Sequence, residues 1–229
     1  MILIIGAMQE EVDALLRLST GHQSMVFEGV TATLASLEGN SVLIARSGIG
    51  KVAAAYTTAI LCTHFRPRLV INIGSAGGLR EEESIGDIVV ADCCCAHDYD
   101  LGETDAAAMN HKIPLDPQLV QVAESVLQEK DYPYHKGLIV SGDQFMTKEH
   151  PLYPGIQKRY PEAICVEMEA SAIAYVCSLH RTPFLVLRSI SDLIFREGNT
   201  SDFAAYLTLA SKKSAEICQA MIRHVAKDQ

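Results

Sequence analysis

Short apolar runs recur along this chain, and nearly every one breaks into glycine or a polar cluster. Residues 1–5 end at Gly6, and residues 69–73 run into Gly74-Ser75-Ala76-Gly77-Gly78. Residues 87–91, 138–140, 163–166 and 184–190 behave alike, the last two leading into Glu167-Met168-Glu169 and Ser191-Asp192. Apolar runs without alternation mark strands buried on both faces. Helical stretches lie between them. Residues 51–65 are Ala-rich and stop before Arg66-Pro67. Residues 117–130 carry Leu119, Val122, Ala123, Val126 and Leu127 on one face. Residues 170–179 and a long closing stretch over 202–226 complete the helices. A hairpin is expected where 30–37 and 41–46 flank Glu38-Gly39-Asn40. The expected fold class is α/β: a single domain over 1–229, a three-layer α/β/α sandwich with a mixed central sheet. In such folds ligands sit at strand ends, so the polar clusters there carry the functional information.

Composition narrows the classes. The 229 residues are 48% hydrophobic, enough for one sizeable core. The net charge is −9, Trp is absent and aromatics are 6%, so neither nucleic acid nor an anionic membrane is the expected partner. The cysteines are odd in number, three are consecutive, and no C-x-x-C pair occurs. Reduced thiols in a cytoplasmic protein are the expectation. Glu10, Glu11 and Asp13 follow the apolar opening at once, which reads as a first strand, not a signal peptide. No apolar run reaches the roughly 18 residues of a membrane span.

Four clusters invite chemistry. Gly6-Ala7-Met8-Gln9-Glu10-Glu11 reads either as an acidic first helical turn or as a placed carboxylate. Gly48-x-Gly50 in Arg46–Lys51 imitates a dinucleotide fingerprint, but no acid follows before Glu81. Lys51 is followed by Val52, which excludes a P-loop, so a tight turn near a small ligand is expected. Three glycines around Ser75 let backbone approach a ligand, or merely make a turn. Glu167 and Glu169, if extended, share one side, and such a carboxylate can accept two hydroxyl hydrogen bonds from a diol. Helix caps are the plain alternative for Glu169 and Asp192. His97-Asp98-x-Asp100 lacks a second His at i+4 and a thiolate set, so neither a metal nor a cofactor is expected.

Taken together, IGAMQEEV, SGIGKVAAA, NIGSAGGL, GDIVVAD, GLIVSGDQF, AICVEMEASAIAYVC and LRSISD occur in order. In this the chain resembles the bacterial 5′-methylthioadenosine/S-adenosylhomocysteine nucleosidases of the nucleoside phosphorylase superfamily. The resemblance runs from residue 1 to about 192 and continues more weakly through the C-terminal helix. It implies hydrolysis of an adenine nucleoside by water, in methionine salvage, by a homodimer. By the resemblance Asp192 is the acid that protonates the leaving adenine, and Glu11 the base that activates water. Ser75 and Arg188 hold the water and its partners. Glu169 accepts the ribose diol, with Met168 on the sugar, Val166 and Glu167 beside it, and Ser191 next to the acid. Phe145 stacks on adenine and the Met146 backbone meets its edge. Gly77 approaches the substrate, and Ile49 and Phe203 line the pocket.

A phosphorylase of this superfamily needs arginines around phosphate. Its opening arginine is missing from Gly6–Glu11, and Asn72 stands where another belongs. The resemblance is weakest over 101–115, where Ala106-Ala107-Ala108-Met109 replaces a bulky aromatic lid that the partner subunit supplies. Three alternatives stay open: an aminodeoxyfutalosine nucleosidase, a nucleoside phosphorylase, and a non-catalytic nucleoside-binding protein. Retention of both Glu11 and Asp192 argues against the last.

Overall fold

A computed structural model describes residues 1–99 and 112–225. Its strands are β1 (Ile2–Gly6), β2 (Thr20–Phe27), β3 (Val30–Leu37), β4 (Asn40–Arg46), β5 (Leu69–Gly78), β6 (Ile88–Ala96), β7 (Ile113–Pro114), β8 (Tyr134–Ser141), β9 (Ala163–Glu167) and β10 (Phe184–Leu193). The helices are α1 (Gln9–Leu18), α2 (Lys51–Phe65), α3 (Pro117–Glu129), α4 (Tyr153–Arg159), α5 (Ala170–His180) and α6 (Asn199–Val225). One mixed sheet runs β10-β6-β8-β9-β5-β1-β4-β3-β2, with β7 on β6. Because β10 also pairs with β5, strands β5, β10, β6, β8 and β9 close into a ring. Pairs β1–β4, β1–β5, β5–β10, β6–β8 and β8–β9 are parallel, and β5–β9 and β6–β10 antiparallel.

Burial explains the pattern. β1 is buried along its whole length, as expected of a strand covered on both faces. Helices α1, α3 and α6 pack together as one layer, and α2 against α5 as another. From α6, Ile217, Met221 and Ile222 are fully buried, each worth about 1.5–3 kcal/mol.

The expected α/β sandwich with a mixed sheet holds, but several boundaries do not. β5 and β10 run on to Gly78 and Leu193, through segments expected to lie beyond the strands. β6 runs past Ala91 through all three consecutive cysteines, which were expected on a strand. Glycines and serines read as breaks, yet these residues lie on the strands, all of them paired except Ser191. The closing helix starts at Asn199, three positions earlier than its apolar pattern begins. β2 was invisible because its residues are mostly exposed and carry little apolar signal. α4 and the two-residue β7 were likewise not anticipated. Of the atypical 101–115 segment, residues 101–111 lie outside the described residues, as does Asp100.

Candidate active site

The carboxyl ends of β1, β5, β9 and β10 surround one cavity of about 300 Å³. Its lining includes Glu11, Ile49, Ser75, Gly77, Phe145, Met146, Val166, Glu167, Met168, Glu169, Ser191, Asp192 and Phe203, thirteen of the fourteen residues singled out from sequence. The remaining one, Arg188, lies behind the carboxylates and is 1% exposed. Ala7, Met8, Ala76, Gln144 and Ile194 also line the cavity; the first three lie in the clusters at Gly6–Glu11 and Gly74–Gly78, and Gln144 and Ile194 were not anticipated.

The glycine run on β5 is neither a turn nor a loop. It is strand backbone stripped of side chains so that others can cross it. A Cβ on Gly74 would stand 2.9 Å from Glu11 Oε1 and 3.0 Å from Arg188 Nη1. On Gly77 it would collide with Ile194 and stand 3.2 Å from Asp192 Oδ2. A bulge in β10 matches Ile190 to Ala76 and Asp192 to Gly77, leaving Ser191 unmatched. Bulges re-aim side chains, and here the consecutive residues Ser191 and Asp192 both reach the cavity.

Glu11 sits in the first turn of α1, 2% exposed. Its Oε2 accepts from the backbone N–H of Ala7 (2.7 Å) and Met8 (3.1 Å), and Oε1 from Ser75 N–H (3.2 Å). Burial pushes its pKa up, against the opposing pull of Arg188 and these N–H groups. A carboxylate offers about four lone-pair sites, so Oε1 can still accept from a ligand. Burial likewise raises Asp192, while donation from Asn199 Nδ2 to Oδ2 (2.9 Å) and from Ser191 Oγ to Oδ1 (2.7 Å) opposes the rise. Asn199 had no signal beyond a polar stretch before an apolar periodicity, and it was missed.

Arg188 donates from Nη2 to Asn72 Oδ1 (2.7 Å) and to Glu167 Oε2. Glu167 also accepts from Ser141 Oγ and from the backbone N–H of Glu169 and Ala170. Burial works to raise the Glu167 pKa, but Arg188 and these donors hold it below the usual range. Glu167 is therefore the fixed anion of the pair, its oxygens already occupied.

Glu169 caps α5 by position and accepts from Gly50 N–H (2.9 Å). That N–H is aimed by a turn whose Gly48 and Gly50 have φ of +82° and +95°, a region that favours glycine. Lys51 anchors the turn, with Nζ 2.5 Å from Asp98 and 3.2 Å from Asp143. Asp98 thus serves an ion pair, and among the described residues no cluster of His, Cys, Asp and Glu could hold a metal. Glu169 itself is pushed up to about 8, first by burial and then by the Glu167 charge.

That shift has a sign that can be checked. The folded pKa lies above the ordinary 4.5, so the folded protein holds this proton more tightly than the unfolded chain. The stabilisation is complete below about pH 4.5 and is lost as pH rises through about 8. Glu169→Gln, a neutral isostere, should melt near wild type at pH 5 and several degrees above it at pH 8.5. About 1 kcal/mol corresponds to ~2–4 °C in a chain of this size. The same Tm difference at both pH values would show that the carboxyl is not held protonated.

The family profile described as Phosphorylase superfamily matches residues 1–223. The chain belongs to the phosphorylase superfamily. Among solved structures it is similar to the 5′-methylthioadenosine/S-adenosylhomocysteine nucleosidase of Neisseria meningitidis in complex with methylthio-immucillin-A, at 32% identity, 97% of this chain, 98% of that one and a TM-score of 0.90. It is similar to the Colwellia psychrerythraea 34H enzyme of the same name in complex with adenine, at 36% identity, 96% and 93% coverage and a TM-score of 0.87. A futalosine hydrolase of Helicobacter pylori strain 26695 matches at 29% identity, with 97% of each chain covered and a TM-score of 0.89.

Proposed function

We propose that the chain hydrolyses the N-glycosidic bond of 5′-methylthioadenosine and S-adenosylhomocysteine, releasing adenine and the 5′-thioribose. The observation that carries this reading is the pairing of Glu11 and Asp192 in one cavity, both with pKa values raised by burial. Asp192 gives its proton to the adenine ring nitrogen as the C1′–N bond breaks and its electron pair passes to the base. Water adds to C1′ and loses its proton to Glu11. Glu169 takes the ribose hydroxyls, Met168 packs on the sugar, Phe145 stacks on adenine and the Met146 backbone meets its edge. Ser75 and Arg188 hold the water side of the site.

Water in place of phosphate follows from charge. Arg188 spends Nη2 on Glu167 and Asn72, and Glu11 is an acid where a phosphate would have to sit. A tethered carboxylate repels that anion.

Homodimerisation is supported by α2 and α5. Both are apolar on nearly every side, which suits helices covered all round. Yet Val52, Tyr56, Tyr175 and Leu179 are more than half exposed, as is Ile49, which lines the cavity. A second copy seated on this layer would cover them. The seven free thiols fit a cytoplasmic setting.

A substrate panel in phosphate-free buffer, reading free adenine, tests the reading. Release from both thio-nucleosides is expected, with kcat/KM values within about tenfold, or roughly 1.4 kcal/mol, because small residues replace a bulky lid. The futalosine hydrolase match favours including aminodeoxyfutalosine, and turnover of that substrate alone would replace the proposed one.

A further inference from the structure

Asn199 opens α6 and is 2% exposed. Its side-chain nitrogen donates to Asp192 Oδ2 and to the Met146 carbonyl, both at 2.9 Å. An amide nitrogen carries two protons and accepts none, so both are spent, one on each partner. Two groups that meet the base in the proposed reaction are thus spaced by one planar side chain.

The two oxygens of Asp192 have unlike neighbours. Oδ2 faces Asn199, a donor that cannot reverse. Oδ1 faces the Ser191 hydroxyl at 2.7 Å, which also has the Ala76 carbonyl within 3.3 Å. A hydroxyl can turn. When Asp192 is protonated, Oδ1–H can donate to Ser191, whose own proton goes to Ala76. When Asp192 is ionised, Ser191 turns back and donates to Oδ1.

We propose that Asn199 is a positioning residue for the acid step: it fixes the Asp192 carboxyl against the Met146 carbonyl and supports the carboxylate left after transfer. This rests on the nucleosidase reading of the site. The support favours the ionised form and so strengthens the acid, in opposition to burial, which weakens it. Asp202 on α6 also bears on Asp192, and Glu11, Glu167, Glu169 and Arg188 face the same site from α1, the β9–α5 junction and β10. All of these stay in place in the variants below.

The test is the pH profile of kcat for the full chain, wild type against Asn199→Ala and Asn199→Asp. The second variant keeps the shape should alanine unsettle the start of α6. Loss of the donor should lower kcat about tenfold on the adenine nucleoside and move the alkaline limb up by about one pH unit, since a weaker acid keeps its proton longer. Asn199→Asp should move the limb at least as far, because a like charge faces Asp192. A riboside with a nitrophenolate leaving group departs without protonation, and should lose no more than about twofold. An unmoved alkaline limb in both variants, or equal losses on the two leaving groups, overturns the positioning role alone. Wild type that releases no adenine overturns the nucleosidase reading, and the positioning role with it.

Discussion

Asp192→Asn is expected to fold normally and to lose turnover on adenine nucleosides by about 10²–10⁴-fold, the usual worth of a general acid. The amide is nearly isosteric and can keep one contact to Asn199 or Ser191, so the cavity wall should stand. What is lost is the acidic proton. Adenine is a poor anion, and without protonation the C1′–N bond must break against the full cost of that charge. Measured Tm values should therefore stay close while kcat falls. A folded Asp192→Asn protein with near wild-type kcat would remove Asp192 from the mechanism. The loss should be smaller on the nitrophenolate riboside, which separates acid chemistry from general damage.

Glu11→Gln should cost a comparable 10²–10⁴-fold in kcat, and it should also disturb local structure. Three backbone N–H groups point at the Glu11 carboxylate, two at Oε2 and one at Oε1. A glutamine can turn only one oxygen to them, so its NH₂ must face a donor at Ala7 and Met8 or at Ser75. A donor left unsatisfied in a buried site costs about 1–3 kcal/mol. Glu11→Gln is thus expected to lower Tm as well as kcat, whereas Asp192→Asn lowers kcat alone. If Glu11→Gln retained full turnover, another group would have to activate the water.

The two carboxylates were visible in the sequence for unequal reasons. Asp192 stands at the end of a long apolar run, where an unpaired acid is costly. Glu11 looked like any first-turn acid, and its role came from the resemblance. The ends of β5 and β10 were misjudged because glycine and serine there serve the site, admitting Glu11, Arg188 and Asp192 across the strand. Asn199 and the bulge at Ser191 were not legible. Each depends on a contact between segments that no local periodicity encodes, in one case between α6 and the loop carrying Met146. The ring closed by β10 is a long-range pairing of the same kind.

The central claim is that water, placed by Glu11, attacks an adenine nucleoside. Turnover of 5′-methylthioadenosine by the wild-type chain in phosphate-free H₂¹⁸O tests it most directly, with the products read by mass spectrometry. The account predicts free adenine and one ¹⁸O on C1 of the released 5-methylthioribose, at a rate that added phosphate does not raise. Adenine released only on adding phosphate, with a sugar 1-phosphate as co-product, would contradict it.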